Sequence, residues 1–168
     1  MKSDSIRIAN CSGFYGDKLS IARDMIEGGP IDVLTGDYLA ELTMTILYNQ
    51  RLKRGEQHGY VGTFLKQFRD IAKLAQEKNI KIVTNAGGLN PSSMAESVKE
   101  IIDELNLDLK VAHIEGDDLM PRIDELYQGG ESLTNIDKSL DLQKYEKKNN
   151  YCQCPVSYTH LTLPTIAK

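Results

Sequence analysis

Four short apolar runs, each closing in a glycine-bearing turn and each followed by residues at helical spacing, constrain this chain more than any other feature. The runs are Ile6 to Cys11, Ile31 to Leu34, Ile80 to Thr84 and Leu109 to Ile114. Short apolar runs bounded by turn signals read as buried strands. Between them apolar residues recur at three- and four-residue steps, which line one face of a helix. These are Leu19, Ala22 and Ile26; Leu39, Leu42 and Ile46; Phe64, Leu65, Phe68, Ile71, Ala72 and Ala75; and Met94, Val98, Ile101, Ile102 and Leu105. The order is strand, helix, strand, two helices, strand, helix, strand, helix. Right-handed crossovers then make the strands parallel. The expected fold is α/β, a parallel sheet with helices on both faces. A doubly wound open sheet and the start of a barrel both satisfy the pattern, and the open sheet is preferred.

Arg51 to Tyr60 is polar and glycine-punctuated and reads as the exposed connection between the two consecutive helices. Leu119 to Leu126 is expected as a further short helix capped by Gly129-Gly130, and Asp137 to Asn150 is Lys-rich and polar. The run Val156 to Thr165 matches a translated transposon-end adapter of the kind used in sequencing libraries; a genuine strand is the alternative. The expected division is therefore residues 1–155 as the N-terminal part of an incomplete, truncated α/β domain, and 156–168 as an artefactual tail.

Charge and cysteine content narrow the function classes. Asp plus Glu number 24 against 20 Lys plus Arg, a formal charge of −4 with both signs interspersed. That balance argues against nucleic-acid backbone binding. There is no apolar run long enough to span a membrane and no signal-peptide pattern at the start, so no membrane association is expected and the cytoplasm is the expected location. Cys11, Cys152 and Cys154 form neither a disulfide framework nor a zinc pattern.

In parallel α/β sheets ligands bind beyond the carboxyl ends of the strands. The first run ends in Asn10-Cys11-Ser12-Gly13-Phe14-Tyr15-Gly16-Asp17. Asn10, Ser12, Gly13 and Gly16 are ligand-binding candidates there, because a turn opening a helix can offer backbone N–H groups to an anion. A tight structural turn is the competing reading, and the motif is neither a dinucleotide fingerprint nor a P-loop. The third run ends in Asn85-Ala86-Gly87-Gly88-Leu89-Asn90-Pro91. Asn85, Gly87, Gly88 and Asn90 are the best candidate anion cradle, for a phosphate, a carboxylate or a thioester oxygen; a well-capped helix explains the same residues. Asp37, Glu41, Glu115, Asp117 and Asp118 follow the second and fourth runs, and gathering them would favour a base or a metal ligand. Asp37 and Glu115 are the catalytic candidates. No metal site is assigned, since His58 and His113 lack partners at ligand spacing, and no cofactor is identified. Cys11 reads as a small buried thiol.

The motifs Arg7 to Asp17, Gly29 to Glu41 and Lys81 to Pro91 resemble, in order, the N-terminal domain of the acyclic terpene utilisation AtuA family. The likeness extends from about residue 6 through 118 and more weakly to about 137, and Tyr151-Cys152-Gln153-Cys154 departs from it. The resemblance implies a cytoplasmic protein associated with breakdown of acyclic terpenoids or related branched acyl-CoA compounds, often beside acyl-CoA carboxylase subunits. It supplies no reaction and carries over no catalytic residue. The leading reading is binding of an acyl-CoA or small carboxylate at the strand ends, with Asp37 or Glu115 moving a proton and Asn10 and Asn85 donating hydrogen bonds to an oxygen of the ligand. The alternative is a non-catalytic partner of a carboxylase or another pathway enzyme.

Overall fold

A computed structural model describes residues 5–116, 122–131 and 134. Asp117, Asp118, Cys152, Cys154, the Lys-rich stretch and the adapter-like tail lie outside the described residues. The elements are β1 (Ile8–Asn10), α1 (Ile21–Glu27), β2 (Val33–Gly36), α2 (Glu41–Arg54), α3 (Gly62–Glu77), β3 (Lys81–Thr84), α4 (Pro91–Glu104) and α5 (Ile123–Gln128). The three strands form a parallel sheet in the order β1-β2-β3, open and not closed into a barrel. The α/β class and the open parallel sheet are as the sequence predicts.

The register aligns Ala9 with Leu34 and Leu34 with Ile82, so these three side chains share one face. Leu34 joins Cys11, Ala22, Ile26, Ile71, Ala75 and Ile80 in one buried cluster, with Ala9 and Ile82 packed against it. A second cluster centres on Tyr38, Leu47, Val61, Phe64, Phe68, Val98, Ile101 and Ile102. α3 bridges the two. Its buried residues Phe64, Gln67, Phe68, Ile71, Ala72 and Ala75 fall on one stripe. Ion pairs lock the helices side by side: Arg23 grips the Asp70 carboxylate through Nε and Nη2 at 2.9 and 2.8 Å, and Arg69 reaches Glu104 at 2.6 Å.

α1 and α3 pack against the sheet face that carries Leu34 and Ile82. The opposite face carries Ile8, Asn10, Val33, Thr35 and Val83, and Ile8, on an edge strand, is 65% exposed. One expectation is corrected, and it concerns the fourth run. Leu107 and Leu109 pack against the core, but no strand forms over 109–116, and every residue from Lys110 to Gly116 is exposed. The Asp108 N–H donates to Gln76 Oε1 at 2.7 Å, which ties this stretch to the end of α3 rather than to the edge of β3. His113, expected inside that strand, is exposed. In a smaller shift, α2 extends to Arg54, so the connection between the consecutive helices begins at Gly55.

Candidate functional site

The carboxyl ends of the three strands are stitched together by their own polar groups. Cys11 N–H donates to the Thr35 carbonyl at 2.8 Å, Asp37 N–H to the Ser12 carbonyl at 2.9 Å, and Thr84 Oγ1 to the Gly36 carbonyl at 2.9 Å. Backbone groups that leave a ladder must find partners, and here each strand end finds them on the next.

At the end of β1, Asn10 is turned inward to the chain. Its Nδ2 donates to the Ser12 carbonyl at 2.9 Å and its Oδ1 accepts from Thr35 Oγ1 at 3.1 Å. Ser12 is buried and donates through Oγ to the Phe14 carbonyl at 2.9 Å. The N–H groups of Gly13 and Phe14 donate to Asp17 Oδ2 at 2.8 and 3.0 Å. The turn does hold an anion, and that anion is the chain's own Asp17 carboxylate. Gly16 leaves room for the Phe14 ring, whose Cε1 would lie 2.5 Å from an added Cβ.

At the end of β3 the turn is packed, not open. Val61 N–H donates to the Ala86 carbonyl and Leu89 N–H to the Gly59 carbonyl, both at 2.8 Å, and Asn90 Nδ2 reaches the Glu56 carbonyl at 2.8 Å. The connection between α2 and α3 therefore straps over Ala86 to Asn90. A Cβ on Gly87 would lie 2.9 Å from Pro91 Cα, and one on Gly88 would run into Leu47 Cδ1 and meet the Gly59 carbonyl oxygen at 2.8 Å. Asn90 caps α4, its Oδ1 accepting from Ser93 N–H at 3.0 Å with Pro91 at the first helical position. The capped-helix reading accounts for Asn90, and chain packing accounts for both glycines.

Asp37 and Asn85 are the pair that the fold brings together at this end. Asn85 Oδ1 accepts the Tyr38 N–H at 2.8 Å, and its Nδ2 donates to Asp37 Oδ1 at 2.6 Å. Asp37 itself is exposed, so a carboxylate held from behind by a fixed amide faces solvent at the strand ends. Glu115 lies on the exposed stretch after α4, where His113 Nε2 stands 3.5 Å from its Oε1. Among the described residues no group of three or more His, Cys, Asp or Glu could hold a metal ion.

Beneath the pair lies a buried polar chain that sequence reading does not find. The Tyr38 hydroxyl donates to Gln67 Oε1 and neighbours the Cys11 thiol, while Gln67 Nε2 donates to the Lys18 carbonyl at 3.4 Å. Tyr38, Cys11 and Gln67 are all buried. Burial pushes the Cys11 thiol above its ordinary range, the neighbouring Tyr38 hydroxyl opposing it. Burial, then the nearby Cys11, pushes the Tyr38 hydroxyl up strongly. Both groups stay protonated, so Cys11 acts as a packed thiol rather than a nucleophile.

Residues 6–158 match the family model described as acyclic terpene utilisation family protein AtuA. The chain belongs to that family. No curated protein and no solved structure matches it. The matched region of this AtuA chain takes in every described element, from β1 through α5. The Asp17 turn, the Asp37–Asn85 pair and the strapped Gly87–Gly88 turn of the AtuA chain all fall within it. No described helix is long and apolar enough to cross a membrane.

Proposed function

We propose that this AtuA-family chain serves cytoplasmic breakdown of acyclic terpenoid or branched acyl-CoA compounds, binding an acyl-CoA or small carboxylate at the strand carboxyl ends. The observation that carries the reading is the exposed Asp37 carboxylate, held at Oδ1 by Asn85 Nδ2 at 2.6 Å. One oxygen is occupied and the other is left to accept a hydrogen bond, or a proton from carbon next to a thioester carbonyl. Asn85 supports the base rather than donating to the ligand. Asn10, Ser12, Gly13, Gly16, Gly87, Gly88 and Asn90 shape the rim through backbone geometry, and Glu115 is the second carboxylate candidate. The whole chain, titrated with isovaleryl-CoA in a calorimeter, is expected to bind, and Asp37→Ala to weaken binding about tenfold. Equal affinity in the two proteins would sink the reading.

A second reading is favoured by exposed apolar residues at the β1 edge of the sheet. Ile8 is 65% exposed on the edge strand β1, and Ile6, two residues before it, is 70% exposed. Parallel sheets are ordinarily covered on both faces. In this reading the chain is a non-catalytic partner of an acyl-CoA carboxylase subunit or another pathway enzyme. It predicts co-migration with such a subunit in size-exclusion chromatography and no heat with acyl-CoA.

A further inference from the structure

Tyr38 takes no part in the surface of the site, yet it is joined to both members of the Asp37–Asn85 pair, to Asp37 along the chain and to Asn85 by a hydrogen bond. It follows Asp37 directly, is 2% exposed, and folds back over Gly36, where an added Cβ would lie 2.6 Å from its Cε2. Its ring meets Phe64 edge-on, centroids 6.0 Å apart and planes 75° apart. The hydroxyl is anchored on Gln67 of α3. Its backbone N–H, at the other end of the residue, donates to Asn85 Oδ1 at 2.8 Å.

That last bond selects a state. A side-chain amide has an acceptor end and a donor end of nearly the same shape, and its neighbours decide which end points where. The Tyr38 N–H claims the oxygen, so the Asn85 NH2 group is left facing Asp37 Oδ1. Were the Tyr38 backbone free to shift, the amide could turn its carbonyl toward the carboxylate, and two acceptors would oppose each other.

We propose that Tyr38 is the positioning residue of this site: anchored at its hydroxyl, it holds the N–H that orients Asn85, and Asn85 orients the Asp37 carboxylate. The inference rests on Asp37 being the group that meets the ligand. Tyr38→Phe keeps the ring and its edge contact with Phe64 while removing the hydroxyl anchor. In the whole chain, labelled with ¹⁵N-asparagine, the variant is expected to shift or broaden the Asn85 side-chain amide signals, assigned by their loss in Asn85→Asp. It is also expected to weaken isovaleryl-CoA binding about tenfold. Phe64→Leu, which disturbs the same core without touching the anchor, is expected to leave the Asn85 signals in place. Unmoved Asn85 signals in Tyr38→Phe would overturn the proposal. If that variant does not fold, the wild-type chain still decides the matter. The Tyr38 amide must exchange with solvent deuterium far more slowly than an unprotected amide, and fast exchange would equally overturn the assignment. The two readings separate cleanly. Asn85 signals that move in Tyr38→Phe, together with an affinity indifferent to Asp37→Asn, would leave the positioning role standing and remove the ligand from this end.

Discussion

Gly88 sits where two parts of the chain meet with no room for a side chain. Its φ is +53°, and an added Cβ would fall 2.8 Å from the Gly59 carbonyl oxygen and run into Leu47 Cδ1. The leucine tip can rotate away, but the carbonyl accepts the Leu89 N–H at 2.8 Å and is held. Left-handed backbone for alanine and the clash with a fixed carbonyl together cost about 2–4 kcal/mol. Gly88→Ala should therefore lower unfolding free energy by that amount in urea titration, and a loss under about 0.5 kcal/mol would show that the strap yields freely. The need for glycine at this turn is legible in Asn85-Ala86-Gly87-Gly88, but the identity of what approaches is not. A glycine permits close contact with a ligand or with the chain itself in the same way, and the strap comes from a distant part of the sequence. The same limit applies to Gly13, whose N–H meets Asp17 and not an outside anion. Gln67 did leave a trace. It interrupts an otherwise apolar stripe between Phe64, Phe68 and Ile71, and a polar residue at a core position requires a buried partner, here Tyr38.

The helices of this chain stop in a repeated way. After α3 the Asn79 N–H donates to the Gln76 carbonyl at 3.1 Å and the Ile80 N–H to the Ala75 carbonyl at 2.8 Å, with Asn79 at φ +54°. After α4 Asn106, at φ +52°, repeats the arrangement, its N–H donating to the Asp103 carbonyl at 3.1 Å and the Leu107 N–H to the Ile102 carbonyl at 3.0 Å. Gly130 closes α5 in the same manner through the carbonyls of Tyr127 and Leu126. Asparagine tolerates the left-handed conformation that alanine resists. Asn79→Ala and Asn106→Ala should each cost about 1 kcal/mol, read as a lowered urea midpoint with unchanged slope. A neutral result at both positions would mean that the ends fray without consequence. The helices themselves were legible, because stripes such as Phe64 to Ala75 repeat over several turns. Leu109 to Ile114 was not. It carries the same apolar signal as β3, and both follow an asparagine-closed helix, so local sequence predicts a strand for each. Pairing is a property of the neighbours, and the bond from Asp108 N–H to Gln76 holds this stretch at the end of α3.

Across the molecule the pairs that join separate elements are carboxylates gripped by arginine. Asp32 accepts from Arg7 N, Nε and Nη2 at 2.8, 3.0 and 3.0 Å, fastening the start of β1 to the start of β2. Asp70 joins α3 to α1 through Arg23, and Glu104 joins α4 to α3 through Arg69. The hydrogen bonds from Arg7 hold the Asp32 carboxyl down at about 2, and the bonds from Arg23 likewise hold Asp70 below its ordinary value. Lys18 does the same for Asp24. A carboxyl lowered in the folded state contributes stability above its unfolded pKa of about 3.9, and that contribution drains away as pH falls toward the folded value. Tm should therefore stay level from neutral pH to about 5 and then drop between about 4 and about 2. These pairs are exposed, so each is a small term screened by salt, and high salt should shrink the acid-dependent drop. The test is circular dichroism melting across that range for the wild type and Asp32→Asn. The variant has no carboxyl to protonate at this position, and its curve should fall less steeply below pH 4. Identical slopes would mean that β1 and β2 are held at this end by their ladder alone. That outcome would move the acid sensitivity to the helical layer, where Arg23→Met, removing the grip on Asp70, would then have to flatten it.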